Sequence, residues 1–278
     1  MSETIIAGID LDAPDQAHDA LALATWLADA TAGKLVLATV FAPRAGALST
    51  QLDWCRRRLT RLSARPVETV AIAGTSPARI LHELADQMHP RVLVIGSSRS
   101  GPNGLVGTGS AGELLLHGGG VAIAVAPNGF RPPEGRAADI GVAFGDTPES
   151  DDAVRVAAEL ANRMGARLRV LTVAEPSVHD ELPVRRAGEY LERALAGAPA
   201  TRVELDGDPA MALAAASADL DLLVTGSRSY GPLGAVLLGA VTRRLINAAQ
   251  CPVMVVPRVR DAALAVELVG GMAGPVDA

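Results

Sequence analysis

Two glycine-rich segments contain the residue types needed to bind a phosphorylated small molecule. Gly96 ends an apolar run, and Gly109-Ser110 precede a helical segment; Gly226 and Gly239 stand at the same spacing in the second segment. Glycine allows positive φ and exposes backbone N–H groups, and the start of a helix offers further N–H donors to an anion. We predict that both segments approach phosphate and that the Ser110 hydroxyl adds a donor.

Two more loops are expected beside the first of these segments. Asp10 directly follows the first apolar run, and a turn from Gly74 to Pro77 follows the third. The carboxyl ends of parallel strands meet at one edge of a sheet, so these loops should converge on the loop from Gly96 to Gly109. Asp10 also fits a purely structural role, in which its carboxylate caps the N–H groups at a helix entry.

The sequence gives little support for covalent or metal-dependent catalysis. Its five histidines are scattered, and its cysteines, Cys55 and Cys251, lie in unrelated contexts that provide neither a disulfide framework nor a metal pair. The run from Gly107 to Gly112 lacks the spacing of a nucleophile elbow. Neither glycine-rich segment carries the lysine of a phosphate-binding loop, which argues against fast phosphoryl transfer.

These residues belong to an internal repeat with an offset near 130 residues, a duplication that organises the whole chain. The segment 91–104 returns as 221–234, and the strand-like run 121–127 returns as 252–257. Four glycines recur at the same offset: Gly96, Gly101, Gly104 and Gly109 match Gly226, Gly231, Gly234 and Gly239.

Each copy reads as β-α-β-α-β-α-β-α-β. Apolar runs without polar alternation predict strands at 4–9, 34–41, 67–73, 91–95 and 121–126, and at 140–144, 167–173, 201–205, 221–225 and 252–256. Helical spacing separates them, with Gly33 and Gly165 placed to end the first helix of each copy. The fold class is therefore α/β, with two doubly wound five-stranded parallel sheets of Rossmann-like order 3-2-1-4-5.

Composition limits the classes of partner. Hydrophobic residues make up 49% of the 278 residues and aromatic residues 3%, so cores of small aliphatic side chains are expected, and base stacking on Trp or Tyr is not an obvious option. The net charge of −6, without a dense basic run, disfavours nucleic-acid binding. No apolar run is long enough to span a membrane and no secretory signal is readable, so cytoplasmic localisation is expected.

The stretch from Gly96 to Pro127, and its partner from Gly226 to Pro257, resemble the closing third of the universal stress protein family, and the resemblance extends twice over nearly the whole chain. ATP-binding members share the pattern G-x2-G-x9-G-[ST]. In this chain Arg99 and Ser229 replace the middle glycine, and Ala240 replaces the final hydroxyl residue.

The resemblance implies a fold of the adenine nucleotide α-hydrolase type and a nucleotide site. The family's acidic residue after strand one matches Asp10, whereas the second copy has Gly145 there; its adenine-edge valine matches Val40 and Val173. The implied ligand is ATP, with Mg²⁺ possible beside it, and the first copy is expected to bind it better. The site residues are thus Asp10, Val40, Gly74, Gly96, Gly109, Ser110, Val173, Gly226 and Gly239.

We expect domains at 1–130 and 137–258, a tail at 259–278, and a tandem chain whose copies pair as a pseudo-dimer, with homodimerisation also possible. The function implied is a nucleotide-responsive stress regulator without enzymatic activity beyond slow ATP hydrolysis. Two alternatives stay open: a scaffold that acts through protein contacts without nucleotide, and a hydrolase of the same fold, which would need a nucleophile or metal constellation.

Overall fold

The computed structural model describes residues 3–44, 46, 48–64, 66–98, 104–107, 109–117, 120–134, 138–145, 148–174, 191–192, 195, 198–230 and 236–257. The predicted tail at 259–278 lies outside these ranges. So do Arg99, Gly101, Gly231 and Gly234, and most of residues 182–196, whose spacing predicts the second helix of the second copy.

The first half alternates strands and helices as predicted. Its elements are β1 Thr4–Gly8, α1 Pro14–Thr31, β2 Lys34–Phe41, α2 Leu48–Leu62, β3 Glu68–Ala73, α3 Pro77–Met88, β4 Val92–Gly96, α4 Ser110–Leu116 and β5 Ala122–Ala126.

The described elements of the second half follow this order, except that only residues 191–192 and 195 are described at the position of its second helix, and a short hairpin follows its fourth strand. The elements are β6 Asp139–Ala143, α5 Pro148–Met164, β7 Arg167–Ala174, β8 Thr201–Asp206, α6 Pro209–Ala216, a 3-10 turn Ser217–Asp219, β9 Leu222–Gly226, β10 Arg228–Tyr230, β11 Val236–Leu237, α7 Ala240–Ile246 and β12 Val253–Val256. The hairpin of β10 and β11 was not predicted from the sequence.

The strands of both halves form one ten-stranded sheet in the order β3-β2-β1-β4-β5-β12-β9-β6-β7-β8. Each half is parallel and has the predicted order 3-2-1-4-5. The halves meet where β5 and β12 pair antiparallel, with Ala124 opposite Met254. The edge strands for which an intramolecular contact was expected are therefore hydrogen-bonded to each other.

Central strands are buried on both faces of this sheet. Ile6 and Leu93, neighbours on β1 and β4, have no exposed side-chain surface. One hydrophobic cluster lies on the face covered by α1, α2 and α5, and a second lies on the face covered by α3, α4, α6 and α7. Burial on two sides explains why these strands read as continuous apolar runs rather than alternating ones.

Helix ends follow local chemistry, with one correction. Gly165 takes a left-handed φ of 58° just after α5, as predicted. After α1 the left-handed residue is Ala32, with φ 50°, and not Gly33. Gly33 is required for another reason, since a Cβ there would lie 3.0 Å from the carbonyl oxygen of Glu3.

The segment 128–136, whose prolines and glycines predict a short linker between the two copies, begins attached to the first half. The buried carboxylate of Asp19 on α1 accepts the N–H of Gly129 at 2.9 Å. Burial raises the pKa of Asp19, and the hydrogen bond from Gly129 partly opposes this. Phe130 is buried, with its ring centroid 6.3 Å from that of Trp26. The chain therefore leaves β5 along α1 before it enters the second half.

Ion pairs across the joint support the pairing of β5 with β12. Glu3 pairs with Arg91 at 3.5 Å and with Arg163 of α5 at 2.9 Å. Glu159 of α5 pairs with Arg91 and, at 2.9 Å, with Arg163. Two residues from each half thus form one alternating charge network, beside the contact between α1 and α5.

Candidate functional site

A cavity of about 910 Å³ lies at the carboxyl ends of the first-half strands. Asp10 and Asp12 line it from the loop after β1, Val40 from β2, Gly96 from the end of β4, and Gly109 from the start of α4. The crossovers leave β1 and β4 in opposite directions along the sheet. This topological switch point is where ligands of doubly wound sheets bind.

Four of the six residues predicted for the first half line this cavity: Asp10, Val40, Gly96 and Gly109. Gly74 and Ser110 are not among its described lining residues. Ser110 is the first residue of α4, between Gly109 and Ala111, which do line it. Gly74 meets a packing requirement instead, because a Cβ there would lie 2.1 Å from Cδ1 of Ile80.

Asp10 organises the turn that leads from β1 into α1. Its carboxylate accepts the N–H of Asp12 at 2.9 Å, and its carbonyl oxygen accepts the N–H of Ala13 at 3.1 Å. The side chain is exposed and lines the cavity. The structural role weighed for Asp10 is therefore present, and its position at the cavity is compatible with contact to a ligand.

Gly96 is explained by close packing and not by an unusual φ. A Cβ on Gly96 would lie 2.4 Å from the carbonyl oxygen of Gln16 on α1. The side chain of Gln16 reaches the same place and donates to the carbonyl of Ser97. The expectation that glycine supplies positive φ holds in this loop at Gly104, with φ 81°, whereas Gly109 is extended at φ −73° and ψ 175°.

A buried serine closes the base of the first glycine-rich loop. The hydroxyl of Ser97 donates to the carbonyl of Ala126 at 2.6 Å and accepts the N–H of Gly107 at 3.0 Å. Beside it, the N–H of Ser98 donates to the carbonyl of Gly107 at 2.8 Å. Sequence reasoning missed Ser97, although its recurrence as Ser227 at the repeat offset was an available signal.

The second half helps to hold this loop. Val106 is buried, and its N–H donates to the carbonyl of Ala249, just beyond α7, at 2.9 Å. The N–H of Gly104 donates to the carbonyl of Asn128 at 2.8 Å, and the N–H of Asn128 returns a bond to Leu105 at 3.2 Å. The segment that leads to Gly109 is therefore anchored by the linker and by the other half of the chain.

Helix α2 supplies a wall of the cavity that the sequence analysis did not anticipate. Thr50, Gln51, Trp54 and Cys55 line it, and the side-chain oxygen of Gln51 accepts the N–H of Arg44 at 3.0 Å. The Cys55 thiol is buried, which, together with the nearby charge of Asp12, raises its pKa. Nothing in the local pattern of α2 shows which element it covers, so this wall becomes visible only in three dimensions.

The charges around the cavity are few. Its described ionisable lining residues other than Cys55 are the carboxylates of Asp10 and Asp12 and the guanidinium of Arg44. Helix α4 spans only seven residues, so its dipole is small. An anion in this cavity would rely on individual N–H groups in the first turn of α4, which make no intrahelical bond.

The second-half candidates occupy equivalent strand ends. Gly226 ends β9 beside Val256, and its carbonyl accepts the hydroxyl of Thr242 at 3.3 Å. Gly239 caps α7 in an extended conformation, with φ −64° and ψ 154°, and Val173 lies on β7 opposite Leu205.

The second half differs at the position of Asp10. The N–H of Ile9 donates to Ala38, and the N–H of Phe144 donates to Leu171 at the matching place. This register gives Gly145 the position in the second half that Asp10 has in the first half, as the sequence predicted. The second half therefore has no carboxylate at that position.

The chain is similar to known proteins in both sequence and fold. A family model described as the universal stress protein family matches residues 138–257. A universal stress protein of Mycobacterium tuberculosis is 30% identical over 197 residues, which cover 64% of this chain and 68% of that relative. The chain belongs to the universal stress protein family.

Other relatives fit this assignment. A universal stress protein of Thermus aquaticus is 33% identical over 131 residues, covering 41% of this chain and 95% of that protein. The crystal structure of a universal stress protein from Archaeoglobus fulgidus superposes with a TM-score of 0.67 at 17% identity, covering 93% of this chain and 100% of that one. At this identity the second likeness shows a shared fold.

The family match and the described cavity fall in different halves of this universal stress protein. The matched residues, 138–257, include Gly226 and Gly239 but lack a carboxylate at Gly145 and a hydroxyl at Ala240. The cavity with Asp10, Gly96 and Gly109 lies in the first half.

Within the ranges that the structure describes, no group of three or more His, Cys, Asp or Glu side chains is placed to hold a metal ion. Among the same residues, no helix combines the length and the apolar character that crossing a bilayer requires.

Proposed function

We propose that this universal stress protein binds an adenine nucleotide, ATP, in the first-half cavity and works as a stress-response regulator. The observation that carries the proposal is the cavity of about 910 Å³ at the switch point, bordered by Asp10, Val40, Gly96 and Gly109. Its volume is within the usual range for small-molecule sites, and it lies where doubly wound sheets bind their ligands.

The roles of the lining residues follow from their chemistry. Val40 offers an apolar contact to the adenine ring, and Asp10 accepts hydrogen bonds from the nucleoside. N–H groups at Gly109 and Ser110 face the phosphates, and the Ser110 hydroxyl adds a donor. Magnesium, where it accompanies ATP, would neutralise part of the phosphate charge, and oxygen donors are the ligands that it prefers.

Regulation rather than catalysis fits this set of residues. The cavity's described cation is Arg44, and its nucleophile, the Cys55 thiol, is buried with a raised pKa. Fast phosphoryl transfer relies on concentrated positive charge around the transferred group. We therefore propose at most slow hydrolysis, with nucleotide occupancy as the signal.

We further propose that residues 1–130 and 137–258 are two domains of this family and that 259–278 is a tail. The pairing of β5 with β12 supports an intramolecular pseudo-dimer, with Ala124 opposite Met254 at its centre. The anchoring of Val106 to Ala249 gives the second domain a supporting role for the nucleotide loop of the first.

Calorimetric titration of ATP, with and without Mg²⁺, tests the proposal on wild type and on Gly109→Val. A Cβ at Gly109 begins 3.3 Å from Cβ of Ser98, and both residues line the cavity. The valine should lower the affinity by about tenfold or more, since a hydrogen bond to a charged acceptor contributes about 1.5–3 kcal/mol.

Gly239→Val is the matched control, because Gly239 caps α7 as Gly109 caps α4. It should leave the affinity unchanged. If wild type binds no ATP, or if both variants bind as wild type does, the nucleotide site is refuted. A wild-type protein that stays unresponsive to ATP would favour the scaffold alternative.

A further inference from the structure

Trp54 is a large, partly exposed hydrophobic side chain that lies at the first-half cavity. The chain has two tryptophans. Trp26 is half-buried on α1 and packs near Phe130. Trp54 is 46% exposed on α2 and lines the first-half cavity. A half-exposed indole stabilises the fold less than a buried one, because less of its apolar surface is removed from water. Its position at a cavity therefore suggests a role other than packing.

The indole has a defined support. Cys55 and Leu59, which are buried, fix α2 against the sheet directly beneath it. One turn further along, the guanidinium of Arg58 lies over the Trp54 ring, 5.2 Å from its centroid. This cation–π contact occupies one face of the ring and restricts its rotation. A flat side chain held in this way is preorganised to receive a second flat group.

The surrounding lining suits a heteroaromatic base with an amino group. Val40 is apolar, whereas Asp10 and Asp12 carry acceptor oxygens that an exocyclic amino group can donate to. The charge of Asp12 reaches Cys55, the residue next to Trp54, which shows that the carboxylate loop and α2 border the same space. Phosphate would be repelled by these carboxylates, so the base and not the phosphate is the better occupant of this side.

We propose that Trp54 is a stacking platform for the purine base of the nucleotide, so that the cavity selects its ligand by the base as well as by the phosphates. The inference rests on the proposed function and assigns its specificity to α2. It departs from the expectation that base stacking on Trp or Tyr is not an obvious option in a chain so poor in aromatic residues.

The experiment uses full-length protein and three probes: adenosine, ATP and inorganic tripolyphosphate. In a Trp26→Phe background, Trp54 is the remaining tryptophan, so excitation selective for tryptophan reports on it alone. Adenosine and ATP should quench its emission, and tripolyphosphate should not. The affinities of adenosine and ATP, measured by calorimetry in the otherwise native chain, should fall about tenfold in Trp54→Leu, the scale of one stacked base.

Trp54→Tyr should restore most of the affinity, because it keeps an aromatic face, whereas a merely structural role would not distinguish leucine from tyrosine in this way. Thermal unfolding of each variant checks that the fold is retained. Equal ATP binding by wild type and Trp54→Leu would overturn the stacking role and leave the nucleotide site standing. Failure of wild type to bind either adenosine or ATP would overturn both.

Discussion

The glycine-rich loops after β4 and β9 share their first main-chain hydrogen bonds but differ in the hydrogen bonds of a serine side chain. In the first, the N–H of Ser98 bonds to Gly107; in the second, Arg228 pairs with Leu237 at the same offset. The serine before each pair donates its N–H to the neighbouring strand, Ser97 to Ala126 and Ser227 to Val256. The duplication has therefore kept the main-chain geometry at the mouth of each half.

The serine side chains show the difference. Ser97 bridges strand and loop through two hydrogen bonds. The hydroxyl of Ser227 is buried and has no hydrogen-bond partner among the described residues. An unsatisfied buried hydroxyl is destabilising, so a residue inherited through duplication has lost its use in one copy. Among the described residues, the two loops therefore share their main-chain bonds and differ in the bonds of the serine hydroxyl.

The largest expected effect concerns Gly96, the first glycine of the motif, where close packing leaves no room for a side chain. Gly96→Ala should lower the free energy of unfolding by about 3 kcal/mol, since its Cβ would overlap the backbone of Gln16. Gly109→Ala, in the same loop, should cost less than about 1 kcal/mol, because its φ is −73° and its neighbour is 3.3 Å away.

Urea unfolding measures both values, and equal losses would contradict the packing explanation. The same substitution at Gly226 sharpens the comparison of halves. A loss as large as that of Gly96→Ala would show that α5 approaches β9 as closely as α1 approaches β4.

Replacing the equivalent serines Ser97 and Ser227 by alanine should change the free energy of unfolding in opposite directions. Ser97→Ala should destabilise the protein by about 2 kcal/mol, because it leaves the buried N–H of Gly107 without its acceptor. Ser227→Ala should be neutral or stabilising, because it removes a buried hydroxyl that lacks a partner. Chemical denaturation of the two single variants measures both changes in the free energy of unfolding. A similar loss in both would contradict the proposed difference between the two serines.

The first strands of the two halves should differ in how much they make the stability of the fold depend on acidic pH. Asp139 pairs with Arg167 across β6 and β7, where β1 and β2 have Thr4 beside Lys34. Hydrogen bonds from Arg167, at 2.9 Å, and from Arg169, at 3.0 Å, help lower the pKa of the buried Asp139 carboxyl to about 2.

A lowered carboxyl pKa stabilises the fold above the unfolded value of 3.8, and this stabilisation is lost as the pH falls toward 2. Wild type should therefore lose between about 1 and 2 kcal/mol over that range that Asp139→Asn does not lose. Unfolding at pH 6, 4 and 2 compares the two proteins. Parallel pH profiles would show that Asp139 does not contribute.

The smallest effect compares the ends of α1 and α5. Ala32 and Gly165 both have left-handed φ, 50° and 58°. Gly165→Ala should cost about 1 kcal/mol, and Ala32→Gly should gain a few tenths or more, because only glycine adopts this region without strain. Thermal melts of both variants test this, and a stabilising Gly165→Ala would show that the helix ends are not equivalent.

The order of the strands was predictable because each buried strand leaves a continuous apolar run and each turn a glycine or proline. β2, at Lys34–Phe41, has the predicted limits. The cavity edge formed by Asp10, Val40, Gly96 and Gly109 was also reachable, since the ends of parallel strands must converge. The reason for Gly96 was less predictable, because its packing depends on Gln16 of α1, a helix distant in the sequence.

The wall formed by α2 shows what local patterns do not contain. Trp54 and Cys55 lie in a segment whose spacing predicts a helix but not what the helix covers. The bond from Val106 to Ala249 joins the two halves, and the hydroxyl of Ser227 has no hydrogen-bond partner among the described residues. Each of these depends on distant segments, and each affects how well a site works.

Native mass spectrometry of the intact chain with ATP measures the central claim most directly, because it counts bound nucleotides per molecule. We expect a single adenylate on wild type and on Gly239→Val, and a clearly smaller bound fraction on Gly109→Val at the same ATP concentration. Two adenylates on wild type, or loss of the adenylate in Gly239→Val with retention in Gly109→Val, would contradict the assignment of the site to the first half.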